Sequence, residues 1–79
     1  MLTLDTVGKF TWDYSCHFFI ETNEGNYIFS DPEYNGLNTI TKFAGNYTDW
    51  LKHEDIPYGR DKGRHTIEDY CGRHVEIKE

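Results

Sequence analysis

The side chains of this sequence that could do chemistry fall into three groups. Cys71-Gly72-Arg73-His74 has the C-x2-H spacing of half a zinc site, and Cys16-His17 could nominally supply the other half. His53-Glu54-Asp55, and His65 with Glu68 or Asp69, set imidazole beside carboxylate, the pairing used in general acid–base catalysis. Asp13, Glu21, Glu24, Asp31 and Glu33 are carboxylates with no Lys or Arg among them, a set suited to meeting another molecule's cations.

Local geometry argues against the first two groups. On an alternating strand Cys16 and His17 point to opposite faces, so they cannot join Cys71 and His74 around one ion, and neither a metal nor another cofactor is expected. A Cys71 and His74 nucleophile pair needs a cleft and an oxyanion site, which so small a domain rarely encloses. Neighbouring His and carboxylate residues arise by chance in a chain rich in both. The expectation is a protein that is not an enzyme and has no catalytic residues. The basic cluster Arg60-Asp61-Lys62-Gly63-Arg64-His65 lacks the G-x-x-x-x-G-K-[ST] pattern of a phosphate loop. It reads as a solvated connecting loop; the alternative is that Arg60, Lys62 and Arg64 dock on an acidic protein surface or on RNA, with Tyr58 as a stacking ring.

The third group draws support from the charge balance. Fourteen Asp and Glu against eight Lys and Arg give a formal charge of −6. That argues against free nucleic acid and anionic membrane as main partners and favours a basic protein surface. Residues 1–55 hold nine acids and three bases, whereas residues 56–79 hold five of each. Residues two apart on a strand lie about 6.6–6.8 Å from one another, so carboxylates on a hairpin can be spaced comparably to nucleic-acid phosphates. Such a face suits the Lys- and Arg-lined groove of a nucleic-acid-binding protein. An ordinary solvated sheet face mixes both signs instead. Tyr34 and Phe19 at the rim would add the aromatic contacts that carry binding energy.

Positioning these groups falls to one small domain, residues 1–79, expected to be a monomer. The apolar fraction of 37% is low, but an aromatic share of 16% compensates, because each ring buries about 150–250 Å². No apolar run approaches the ~18 residues of a membrane span, and the start lacks a signal-peptide pattern, which points to the cytoplasm. In that reducing setting both cysteines are expected as buried thiols.

Along the chain, Phe10, Trp12, Tyr14, Cys16, Phe18 and Ile20 fall at even positions, the period of a half-buried strand. Phe19 breaks the alternation, and the length predicts a bulge near Ser15 or a division into two strands. Asn23-Glu24-Gly25-Asn26 predicts a hairpin turn into Tyr27-Ile28-Phe29-Ser30; a Glu24-Gly25 loop sets Ile20 opposite Phe29, and a three-residue loop shifts the register. Pro32 and Asn35-Gly36 end that strand. Ile40, Phe43, Ala44, Tyr47, Trp50 and Leu51 recur at helical spacing, with Asn38 or Thr39 as cap; Gly45 could divide the helix and leave Asn46 or Thr48 to start its second part. Thr66 to Cys71 predicts a short helix capped by His65 or Thr66 and closed by Gly72, and His74 to Lys78 a final strand. Leu2 to Thr6 could add an edge strand. The expected fold is α+β: a small antiparallel sheet of three to four strands, one main helix packed on one face and a short second helix.

In length, acidity and compact α+β order the chain resembles the small phage proteins that act against bacterial defence, in particular anti-CRISPR inhibitors. Asn46-Tyr47-Thr48-Asp49-Trp50-Leu51 is similar to a Y-x-D-W-L helix segment of an acidic, DNA-mimicking member of that group. The resemblance implies a non-enzymatic inhibitor in the host bacterial cell. It would bind the basic surface of a CRISPR effector, a Cascade-like complex, and exclude target DNA. The contact residues would then be Asp13, Glu21, Glu24, Asp31, Glu33 and Tyr34.

Overall fold

The computed structural model describes residues 1–31 and 38–79. Its elements in chain order are β1 (Val7–Trp12), β2 (His17–Thr22), β3 (Gly25–Ser30), β4 (Asn38–Phe43), α1 (Tyr47–Glu54), β5 (Arg60–Thr66), α2 (Ile67–Cys71) and β6 (Val75–Lys78). The strands form one six-stranded sheet in the order β5-β1-β2-β3-β4-β6. All pairs are antiparallel except β4 with β6, which are parallel.

Both faces of the sheet carry apolar side chains, and each has its own cover. On one face the register Phe10↔Ile20↔Tyr27 and Phe18↔Phe29↔Ile40↔Ile77 lines up side chains from five strands. They pack with Leu2, Ile67 and Cys71 into the larger core. Helix α2 and the first six residues cover it, tied together by Ile67 N–H to Thr6 O at 3.0 Å and Glu68 N–H to Leu4 O at 2.9 Å. On the other face Phe19 meets Phe43, Tyr47 and Trp50 at centroid distances of 6.0, 6.3 and 5.3 Å. Helix α1 is the cover there, and burying each such side chain contributes about 1.5–3 kcal/mol.

Several expectations hold. The apolar alternation divides into β1 and β2 around Ser15, α2 is capped by Thr66 and closed by Gly72, and β6 ends the chain's secondary structure. Others are corrected. The sheet has six strands and is mixed, where three to four antiparallel strands were expected. Asn38–Phe43 is a strand and not the first half of a helix: the β-branched Thr39, Ile40 and Thr41 favour the pleat, with Ile40 facing the larger core and Phe43 the smaller. Only the part expected beyond Gly45 is helical: α1 starts there with Asn46, one of the two residues expected to start it, as N-cap in a reciprocal capping box with Asp49. The hairpin loop is Asn23-Glu24, so Ile20 pairs with Tyr27 rather than Phe29. Residues Leu2 to Thr6 form no strand. The expected turn at Pro32 to Gly36 lies outside the described residues.

Arg60 to Arg64, expected as an exposed loop, belongs to the edge strand β5, which runs on to Thr66. It needs no apolar anchor because its backbone pairs with β1, and its charged side chains discourage pairing with a further strand. The register slips between Phe10 and Thr11, leaving Lys62 as the extra residue of a bulge with Gly63 at φ 84°. No helix among the described residues is long and apolar enough to cross a membrane.

Candidate functional site

The turn joining β1 to β2 is organised by one carboxylate. Asp13 is buried, with 4% of its side chain exposed, and its oxygens collect the donors around it. Oδ1 accepts from Ser15 N–H at 2.8 Å and His17 N–H at 3.2 Å, while Ser15 Oγ lies 2.8 and 2.9 Å from the two oxygens. Asp side chains stabilise turns by accepting from backbone two residues on, and that chemistry explains a charged group in a buried place. Trp12 Nε1–H closes the turn on Ser15 O at 2.7 Å. Between these anchors Tyr14 takes φ 66°, a left-handed conformation that costs a bulky residue about 1–2 kcal/mol.

The same turn is tied to helix α1 through His17. Its Nδ1 lies 3.1 Å from Asp13 Oδ2 and 3.4 Å from Glu54 Oε1, so one ring nitrogen sits between carboxylates of two elements. Asp13, His17 and Glu54 each offer a ligand atom, and these atoms all lie within 4.8 Å of one another. Cys16 Sγ is 4.0 Å from the other ring nitrogen.

Beside the turn, aromatic and cationic side chains converge. The Trp12 and Tyr14 rings are 4.9 Å apart, Tyr14 meets Tyr58 edge-on at 6.0 Å, and Lys62 Nζ stands 5.4 Å over the Trp12 ring. Arg60 pairs directly with Trp12 across β5 and β1. Tyr14 and Tyr58 are 50% and 60% exposed, two of the few large apolar side chains left in solvent.

The acids read from the sequence as one face are placed differently from one another. Asp13 is the buried hub of the turn. Glu21 pairs with Lys9, which also pairs with Arg64 on its other side. Glu24, in the β2–β3 turn, binds the N-terminal ammonium group. Asp31 is exposed at the opposite end of that hairpin, where its N–H donates to Cys16 O at 2.9 Å. Six residues of strand, roughly 20 Å, separate the Glu24 end from the Asp13 and Asp31 end. Glu33 and Tyr34 lie outside the described residues. Phe19, expected at a rim, is fully buried under Trp50.

The basic cluster is also partly engaged. Lys9 Nζ reaches Asp61 at 3.6 Å, and the Gly63 N–H donated to Asp61, with Lys9 nearby, holds that carboxyl below its ordinary range. His65 stacks on Tyr70 with centroids 4.5 Å apart. Cys71 is buried in the core, His74 is exposed, and Cys16 and Cys71 are both free thiols. Sequence reasoning passed over Tyr14, and it set Glu54 beside His53 where the structure sets it beside His17. The signal for the first was Asp13-Tyr14-Ser15, an Asp two residues before a Ser between alternating apolar runs. No family model, curated protein or solved structure matches the chain.

Proposed function

We propose that this chain is a non-enzymatic binding module, an inhibitor or adaptor that occupies the surface of another protein. Its working surface is the corner formed by Trp12, Tyr14, Tyr58, Arg60 and Lys62. The observation that carries the reading is Tyr14: the Asp13 hydrogen bonds hold it at a costly φ with its ring half in solvent. Backbone strain of this kind persists where the surroundings enforce it, and it concentrates at sites of function. A ring already fixed in place loses little entropy on docking. Trp, Tyr and Arg are also the residues most enriched where binding energy concentrates. The fitting partner is a protein with an apolar pocket bordered by carboxylates. A chain of charge −6 with few cations at the corner is poorly suited to a phosphate backbone.

The test places a photo-activated cross-linking residue at position 58, and as a control at the exposed Asp49, in the source cell's lysate. Cross-linking of one protein from position 58, absent from position 49, resistant to nuclease and lost in a Tyr14→Ala background, supports the reading. Equal capture from both positions, or capture abolished by nuclease, overturns it.

The net charge favours a second reading, in which exposed acids including Glu24 and Asp31 meet a basic surface. An anti-CRISPR that covers the DNA-binding surface of a CRISPR effector, as the Tyr47 to Leu51 resemblance implies, is its concrete form. Target DNA would then displace the chain from its partner. A Glu21→Gln, Glu24→Gln, Asp31→Asn variant would lose capture while Tyr14→Ala kept it.

A further inference from the structure

Two carboxylates and one imidazole meet where the β1–β2 turn touches the end of helix α1, and hydrogen bonding leaves their charges unbalanced. The Asp13 and Glu54 side chains are 4% and 14% exposed, and among the described residues neither forms an ion pair with Lys or Arg. Their shared partner is His17 Nδ1. A single N–H there cannot point at both Asp13 Oδ2 and Glu54 Oε1, and a neutral ring leaves two negative charges facing each other in a largely desolvated place. A divalent cation would remove both problems.

We propose that Asp13, His17 and Glu54 bind one divalent transition-metal ion of the zinc class, through Oδ2, Nδ1 and Oε1. The spacing supports this. Bonds of about 2.0–2.1 Å in a tetrahedron place neighbouring ligand atoms roughly 3.3 Å apart. The two distances at Nδ1 are 3.1 and 3.4 Å, on either side of that edge. The third edge, between the two carboxylates, is no longer than 4.8 Å, so an ion can enter with the ring in place as the carboxylates draw together around it.

The surroundings support it as well. Ser15 N–H and His17 N–H hold Asp13 Oδ1, which turns Oδ2 toward the ring; outer partners of this kind orient ligands in metal sites. The ligands come from the turn, the start of β2 and the last residue of α1, so a bound ion would cross-link turn and helix. One nitrogen and two carboxylate oxygens suit zinc with a fourth, open position. Magnesium and calcium prefer more oxygen ligands and no imidazole. Cys16 Sγ, near the far ring nitrogen, stays outside the ligand set.

The experiment titrates the chelator-treated full chain with Zn²⁺ and, separately, Mg²⁺ by calorimetry, and follows its thermal midpoint. One equivalent of Zn²⁺ should bind and raise the midpoint, and Mg²⁺ should do neither. Co²⁺ should give the visible absorption of a tetrahedral centre. Glu54→Gln and His17→Gln should each weaken Zn²⁺ binding by about a hundredfold or more, since lost outer partners alone cost about 10–100-fold. If His17→Gln fails to fold, Glu54→Gln decides, because it keeps the shape of a helix-end side chain. Absence of saturable Zn²⁺ binding, equal binding of Mg²⁺, or undiminished binding by Glu54→Gln would overturn the proposal; the last would place the ion on the exposed His53 or His74.

Discussion

Phe19 and Trp50 stack with ring centroids 5.3 Å apart and planes inclined by 19°, and both are fully buried. Phe19 is the residue that breaks the alternation of its strand, and this contact is why: it points away from the larger core and anchors helix α1 on the opposite face. The helix has only eight residues, too short to persist alone, so packing of this kind must hold it.

Trp50→Ala should therefore cost about 3–5 kcal/mol, a large part of the stability of a domain this size. Trp50→Phe should cost far less, about 1–2 kcal/mol, because the ring contact survives. The indole N–H is buried without an acceptor among the described residues, so removing it forfeits no hydrogen bond. Urea denaturation followed by circular dichroism measures both. A loss below ~1 kcal/mol for Trp50→Ala would mean that the smaller core does not hold the helix.

Gly59, just before β5, and Gly63, inside it, separate steric from conformational cost. A Cβ on Gly59 would come within 2.7 Å of Thr11 Cγ2, 2.9 Å of Trp12 O and 3.0 Å of Trp50 Cζ3. Backbone is among those atoms, so Gly59→Ala should cost about 1–3 kcal/mol through overpacking. A Cβ on Gly63 meets nothing within 4 Å, but φ is 84°. Gly63→Ala should cost about 1 kcal/mol, and Gly63→Asn less, because Asn tolerates the left-handed region. Thermal midpoints should fall in the order Gly59→Ala, Gly63→Ala, Gly63→Asn, the first being lowest. Gly63→Ala below Gly59→Ala would show that the approach of residue 59 to the sheet is not tight.

These residues also mark where the sequence was legible and where it was not. Helix α2 was, because Thr66, the apolar Ile67, Tyr70 and Cys71, and Gly72 state its cap, face and end together. Strand β4 was not: Ile40 and Phe43 fit a helical spacing as well as they fit opposite faces of a strand, and β-branching decided. Strand β5 was invisible, since all that places it is backbone pairing with β1, far away in sequence. Within the candidate site, Asp13 looked like a surface charge because most carboxylates are exposed. Its local donors bury it, and no count of charges reveals them. Glu54 joins His17 only once the helix is docked.

Cys71 gives a prediction with a defined sign. Burial pushes its thiol from an ordinary value near 9.0 up to about 12. The folded protein therefore keeps a proton that the unfolded chain loses, and stability falls as pH rises from about 9 toward about 12. Tyr27 and Tyr70, raised first by burial, add to the alkaline loss. Cys71→Ala removes the thiol's share and leaves that of the tyrosines, so the decline of unfolding free energy with pH should be shallower in the variant. Thiolate is the reactive species, so in the native state near neutrality the partly exposed Cys16 should alkylate readily and Cys71 only after denaturant is added. Denaturation at a series of pH values checks the first statement, and mass spectrometry of alkylated protein checks the second. Equal slopes in variant and parent, or labelling of both cysteines at one rate, would show that the α2 side of the core admits solvent.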